Sequence, residues 1–176
     1  MNIRQIIVSS HSRTSTNKII ALIEQDFGKF SELMTCFFDR EYRMCQRAAW
    51  PVGDLGVKHP ELLQPYMSEL IHNLKSAKHD AIIRNTIRTW QFMNIPEDYQ
   101  GEIFDICFNY INDPKIPIAI RVFSMTVCAN ISKELPELKE ELALAIEAHL
   151  EYGSAGFKSR GLKTLKALRK QNSKVI

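Results

Sequence analysis

Residues 80–91, with the sequence DAIIRNTIRTWQ, show a clear helical pattern. The apolar residues among them recur at spacings of four and three, at Ile83, Ile87 and Trp90. Such spacing places them on one stripe of an α-helix and predicts that this stripe is buried. The residue after each of them is polar, which gives a neighbouring stripe of Arg84, Arg88 and Gln91.

The arginine near the start of this helix recurs along the chain after a turn, at Arg43, Arg84, Arg121 and Arg160. The intervals are 41, 37 and 39 residues, which is the length of a two-helix repeat. We therefore predict one domain over residues 1–176, with an N-terminal helix near 16–27 before the repeats. The predicted repeats, each a helix, a short turn and a second helix, span approximately 29–57, 60–93, 99–131 and 136–170.

Composition agrees with a helical repeat domain. The chain has 176 residues, 45% of them hydrophobic and 24% charged, and it has seven Gly and seven Pro. This excludes collagen-like, disordered and disulfide-scaffold classes, and the few Gly and Pro favour long helices with short turns. Proline inside the second helix of the first repeat, at Pro51, predicts a kink or a break there.

The repeats resemble the HEAT-repeat family, in which an apolar-Arg pair opens the second helix after an Asp-containing turn. The matching pairs are Tyr42-Arg43, Ile83-Arg84, Ile120-Arg121 and, more weakly, Ser159-Arg160. The resemblance implies an all-α, armadillo-type fold: a right-handed α-α superhelix (solenoid) of about four helix pairs plus the N-terminal helix.

Three short stretches are also similar to a group of small bacterial HEAT-like proteins: 47–50, 123–126 and 151–158. Some members of that group carry an adenylosuccinate lyase label. This chain lacks the Ser-Ser-x-Met-Pro-x-Lys-x-Asn-Pro type of catalytic loop and is far shorter than those lyases. We therefore predict the fold from this similarity, and no lyase activity.

Cysteine usage and the N-terminus predict a reduced, cytoplasmic protein. No C-x-x-C pair is present, and the cysteines lie in apolar stretches, as small core residues do: Cys36, Cys45, Cys107 and Cys128. The N-terminal apolar residues are too few for a secretory signal. No run approaches the ~18 apolar residues of a membrane span, so we predict no membrane partner.

No catalytic motif is recognisable, so we predict a protein that is not an enzyme. The chain has no phosphate-binding loop, dinucleotide fingerprint or nucleophile elbow. Its five histidines form no H-E-x-x-H and no i, i+4 pair, and we interpret His72 and His79 as surface residues. We therefore predict no cofactor and no metal.

The recurring arginines have two interpretations. In the favoured one they are structural and form a ladder with the turn acids, whose members are Asp39 with Arg43, Asp80 with Arg84, and Asp113 with Arg121. In the other, arginines one turn further along line a concave groove for a partner. Trp50 lies on the stripe of Arg43 and Arg47 and suits either the groove or the core, whereas Trp90 is predicted to be core.

We predict a binding scaffold whose groove presents Arg47, Trp50, Arg88 and Gln91 to a protein or peptide. Residues 157–176 hold seven Lys and Arg and no acid, although the net charge of the chain is only +3. Four of these cations form a basic patch on the last helix: Arg160, Lys163, Lys166 and Lys170. The alternative is a nucleic-acid-binding or DNA-repair-like module that uses the same groove and this helix. A solvated face is the simpler interpretation of the patch.

Overall fold

The computed structural model describes residues 2–77 and 79–172, the last two by their backbone alone. Among these residues ten α-helices occur and no β-strand. The chain divides into two compact units, Met1–Met93 and Asn94–Ile176. The helices are α1 (Ile3–Ser9), α2 (Arg13–Gln25), α3 (Phe30–Phe37), α4 (Tyr42–Lys58), α5 (Met67–Lys75), α6 (Asp80–Trp90), α7 (Glu97–Asn112), α8 (Ile118–Glu134), α9 (Leu138–Leu150) and α10 (Ala155–Asn172).

The first unit is a stack of helix pairs. The first helix α1 packs on α3, while the second helices α2 and α6 both pack on α4. Their apolar stripes meet in a core that includes Leu33, Phe37, Leu55, Ile87 and Trp90, all of them fully buried. The predicted core position of Trp90 is therefore confirmed. Burial of these stripes, rather than helix propensity, stabilises such short helices.

The second unit repeats this arrangement with α7 and α8, then α9 and α10. The first helices α7 and α9 contact each other, and the second helices α8 and α10 do the same. The core contains Ile103, Cys107, Ile120, Val127 and Phe157, each fully buried. All four cysteines of the chain are buried, as their apolar surroundings predicted, and none of them forms a disulfide bond.

Two elements of the first unit differ from the sequence prediction. The N-terminal helix is preceded by α1, so that α1 and α2 form a pair of their own. In α1, Asn2 and Gln5 cap each other's backbone amides in a capping box. The first helix of the predicted repeat 60–93 does not begin at its start, where a 3-10 segment, Pro60–Tyr66, precedes α5. Pro65 lies inside that segment, and a proline there cannot donate the hydrogen bond of a regular α-helix.

The second helices α4 and α6 approach closely because glycines face the contact. A Cβ atom at Gly53 would lie 2.2 Å from the side-chain oxygen of Asn85, and one at Gly56 would lie 2.5 Å from the Thr89 methyl group. Helix α4 also continues from Tyr42 to Lys58 through Pro51. The break considered for Pro51 does not occur, and α4 presents one uninterrupted face.

The fold-class prediction, an all-α repeat of helix pairs, is confirmed. In the part of the chain that the structure describes, no helix is both long and apolar enough to cross a membrane. The division into four repeats within a single domain remains a prediction.

Candidate functional site

Trp50 lies half-buried on α4, against the start of α2. The His11 ring meets the indole edge-on, with ring centroids 5.8 Å apart. The guanidinium carbon of Arg13 lies 5.5 Å from the indole centroid, within the range of a cation–π interaction. The Trp50 ring is therefore held in place by two side chains and still reaches the surface.

Asp54, one turn after Trp50, joins three helices. Its carboxylate accepts hydrogen bonds from Arg13 of α2 at 2.6 Å and from Arg88 of α6 at 3.0 Å. The Asp54 side chain is only 15% exposed, whereas the side chains of Arg13 and Arg88 are 60% and 33% exposed. This carboxylate neutralises part of the arginine charge and fixes both guanidinium groups, of which that of Arg13 lies over Trp50.

Arg47 has a structural contact that the sequence did not predict. Its Nη1 donates to the backbone oxygens of Ile7 and Val8 at 3.1 and 2.8 Å. These carbonyls belong to the last turn of α1, where no helix amide can bind them. Arg47 thereby ties α1 to α4.

Gln91 lies directly after α6 and donates from Nε2 to the carbonyl oxygen of Arg88 at 3.1 Å. The structure thus brings Trp50 and Arg88 to one face through Asp54, with Arg47 one turn from Trp50 and Gln91 beside Arg88. We call this surface of α2, α4 and α6 the second-helix face. Its further members Arg13 and Asp54 were missed, because no local pattern links residues 41 positions apart.

A small cavity of about 180 Å³ opens beside this face, between α1 and α4. It is lined by Ile7, Val8, Glu41, Arg43, Met44 and Arg47. Two of its apolar members, Ile7 and Met44, are buried, whereas Val8 and Arg43 are exposed. We call it the α1–α4 cavity.

Comparison with known proteins adds the family. A family model described as a HEAT repeat domain matches residues 3–168. The chain belongs to the HEAT repeat domain family. Neither the curated proteins nor the solved structures gave a match. HEAT repeat domains are helical scaffolds that often mediate protein interactions.

The Arg/Asp ladder predicted for these HEAT repeats is wrong in the first repeat. The Asp39 carboxylate binds Arg4 of α1 at 2.8 Å, and it also accepts the Glu41 amide at 2.8 Å. Two hydrogen bonds hold the pKa of Asp39 below its ordinary value: the larger effect comes from the Glu41 amide and the smaller one from Arg4. The predicted pair of Arg43 and Asp39, both of them described residues, forms no ion pair. Asp39 thus fastens α1. The ladder prediction missed this contact because it did not include that helix.

The remaining pairs of the ladder also differ from the prediction. Asp80 and Arg84 are both exposed on α6, and these two described residues form no ion pair. Asp113 accepts the backbone amide of Lys115 at 2.8 Å, which closes the turn before α8. Its predicted partner Arg121 makes its hydrogen bonds elsewhere.

Arg121 is structural, but its acceptor is a backbone carbonyl. Its Nε and Nη2 donate to the oxygen of Ile111 at 3.0 and 2.7 Å, in the last turn of α7. The guanidinium carbon lies 4.3 Å from the centroid of the Phe157 ring. Arg121 is only 7% exposed, and this burial lowers the pKa of its guanidinium. Arg121 and Arg47 thus both hold the end of a first helix.

The basic patch of α10 is partly engaged. Arg160 donates to the hydroxyl of Thr126 on α8. Lys163, Lys166 and Lys170 are exposed, on the side of α10 away from its buried residues. The sequence pattern indicated four of those buried residues, Phe157, Gly161, Leu165 and Leu168, and Thr164 is the fifth. Lys174, another cation of the basic terminus, lies outside the described residues.

The histidines interpreted as surface residues have different positions. His72 is exposed, whereas His79 is half-buried and caps α6, where its Nδ1 accepts the amide of Ala81 at 2.8 Å. Among the described residues, no group of three or more His, Cys, Asp or Glu side chains could hold a metal ion.

Proposed function

We propose that the chain is a non-enzymatic binding scaffold and that its second-helix face binds a protein or peptide. The observation that supports this proposal is Trp50, half-buried and held between His11 and Arg13. Tryptophan and arginine are the residues that most often dominate interface energies. The proposed contact residues are Arg47, Trp50, Arg88 and Gln91, with Arg13 added by its position over the indole.

Preorganisation supports the same proposal. Binding costs less when the contact side chains are ordered beforehand. Arg13 and Arg88 are fixed by Asp54, and Arg13 lies over the Trp50 ring. A partner would therefore meet a rigid aromatic surface bordered by guanidinium groups.

Affinity capture tests this proposal. The full chain, immobilised, is incubated with nuclease-treated lysate of the source cell, and bound proteins are identified by mass spectrometry. Trp50→Ala should lose a defined set of proteins by about tenfold or more, as expected for an interface anchor. The matched control is Tyr152→Ala, at an aromatic residue that is 87% exposed and lies in the other unit. Circular dichroism confirms that both variants are folded.

Equal capture by the wild type, Trp50→Ala and Tyr152→Ala would show that the second-helix face does not bind the captured proteins. The absence of any protein above an unrelated control chain would reject the scaffold proposal itself.

A second candidate function is nucleic-acid binding through α10, favoured by the charge of that helix. Within the described residues the side chains of four exposed lysines make no ion pair or hydrogen bond: Lys158, Lys163, Lys166 and Lys170. Four phosphate contacts would give a slope of log affinity against log salt of about −3 for a single strand. Fluorescence anisotropy with a labelled oligonucleotide measures this slope. A variant with Lys163, Lys166 and Lys170 changed to Gln should bind more weakly and with a smaller slope, whereas an unchanged slope rejects this function.

A further inference from the structure

We infer that the α1–α4 cavity is a carboxylate-binding pocket, which receives an Asp or Glu side chain of the peptide bound on the second-helix face. This inference rests on the proposed function and adds the chemistry of the partner. It depends on the position of two arginines, on the charge balance of the lining, on the cavity's size and on its distance from Trp50.

The two arginines of the cavity are complementary in their contacts. Arg47 is oriented by the Ile7 and Val8 carbonyls, to which it donates from Nη1 alone. A guanidinium group has five N–H donors, so this contact leaves others to bind an anion. Arg43 is exposed and has no ion pair in the described part of the chain. One arginine is thus preoriented and the other is free to close on a ligand, an arrangement suited to bidentate carboxylate binding.

The charge of the lining favours a carboxylate over a phosphate. Arg43 and Arg47 contribute two positive charges, and Glu41 contributes one negative charge. The net charge of +1 matches a carboxylate, which is a monoanion. A phosphate group carries a charge of about −1.5 to −2, and its excess negative charge would be repelled by Glu41.

The size and lining of the cavity fit one acidic side chain. The cavity has a volume of about 180 Å³. It is smaller than the ~300 Å³ at which pockets for drug-sized ligands begin. The buried Ile7 and Met44 offer apolar surface to the methylene groups of the ligand side chain.

The cavity is close enough to Trp50 for one peptide to reach both. Arg47 and Trp50 are three residues apart on α4, or about 4.5 Å along the helix axis. Residues i and i+2 of an extended peptide are about 6.6 Å apart. We therefore expect a recognition motif in which an Asp or Glu lies one or two positions from an apolar or aromatic residue.

Selection from a random peptide display library tests the inference. The full chain is used as bait in three forms: wild type, Arg43→Gln and Arg84→Gln. Arg84 is the matched control, since it is also exposed and occupies the corresponding position at the start of α6. We expect one fixed position of the peptides to be enriched in Asp and Glu with the wild type and with Arg84→Gln. This enrichment should disappear with Arg43→Gln.

A selected peptide then gives the size of the effect by isothermal titration calorimetry. Changing its acidic residue to the neutral amide should weaken binding to the wild type about tenfold or more, as for hydrogen bonds to charged groups. The same change should have little effect on binding to Arg43→Gln. Peptides carry a blocked C-terminus, so a terminal carboxylate cannot substitute for the side chain.

The possible failures are distinguishable. Peptides that depend on Trp50 but show no acidic preference, or the same preference with Arg43→Gln, would overturn the carboxylate pocket and leave the scaffold proposal in place. If no peptide is selected, the peptide-scaffold proposal fails and the pocket inference fails with it.

Discussion

At the scale of single residues, three kinds of arginine contact recur in the described part of the chain: with carbonyls, with carboxylates and with aromatic rings. Arg47 and Arg121 donate to carbonyls at helix ends, Arg88 binds a carboxylate, and Arg13 lies over an indole ring. The planar guanidinium group, with its fixed fork of donors and its flat face, permits all three. Spacing along the sequence predicted where the arginines would recur, but their partners lie 10 to 41 residues away and depend on packing.

Replacing Arg121 by Met should destabilise the protein by about 2–3 kcal/mol, the range for hydrogen bonds from a charged donor together with a carbonyl left without a partner. The Ile111 oxygen would lose both of its arginine hydrogen bonds. Urea denaturation measures the change. Arg84→Met is the control, since an exposed arginine should change stability by no more than ~0.5 kcal/mol. Equal losses for the two variants would contradict a structural role of Arg121.

The protonation of His149 should make the free energy of unfolding depend on pH near neutrality. Burial, followed by the positive charge of Arg121, lowers its pKa from the ordinary value of about 6.5. The unfolded chain therefore takes up a proton at a pH where the folded chain does not. The free energy of unfolding should fall as pH decreases through about 6.5 and level off below the folded pKa.

Urea denaturation between pH 7.5 and 5.5 measures this decline. His149→Gln should flatten it, while His72→Gln, at an exposed histidine, should keep it. An unchanged decline in His149→Gln would assign the effect to another group.

At the scale of helices, the apolar stripes were sufficient to predict α6, α7, α8 and α10 to within a few residues. They were insufficient for α1, because seven residues give too few turns for a periodic pattern. The start of α5 was misplaced since the prolines of the preceding 3-10 segment can also begin an α-helix. For the candidate site, the apolar and polar stripes of α4 were sufficient to predict that Trp50 lies beside Arg47. The position of Arg13 over the Trp50 ring could not be predicted, because it depends on how α2 packs on α4.

Glycine at the α4–α6 contact should be essential to that packing. Gly53→Ala places a Cβ atom 2.2 Å from the Asn85 side-chain oxygen, so we expect a loss of about 1–3 kcal/mol from overpacking. Gly101→Ala is the control on α7, where nothing lies within 4 Å of the added atom. It should stabilise the protein by about 0.5–1 kcal/mol through helix propensity. Thermal melts of the two variants should therefore shift in opposite directions, and a stabilised Gly53→Ala would contradict the close approach.

At the scale of the whole molecule, the two compact units contain different spectroscopic probes. Both tryptophans, Trp50 and Trp90, lie in the first unit, whereas helices occur in both. Neighbouring repeats in helical arrays stabilise each other, so the single-domain proposal implies one cooperative unfolding transition.

Urea unfolding followed by tryptophan fluorescence should coincide with unfolding followed by far-ultraviolet circular dichroism. The fluorescence signal reports the first unit, and the dichroism signal reports the helices of both units. Two separate midpoints would contradict the single-domain proposal and would identify the units as independent folding domains.

Helix α1 is too short to persist by its own backbone hydrogen bonds, since isolated helices below ~12 residues are marginal in water. It is retained by the burial of its three isoleucines, by Arg47 at its end and by the Arg4–Asp39 ion pair. Because α1 is also a wall of the α1–α4 cavity, its detachment abolishes the cavity. Amide hydrogen exchange in residues 3–9 should therefore slow about elevenfold when a ligand of that cavity is present at ten times its Kd. The shortest α-helix among the described residues would thus serve as a built-in reporter of occupancy.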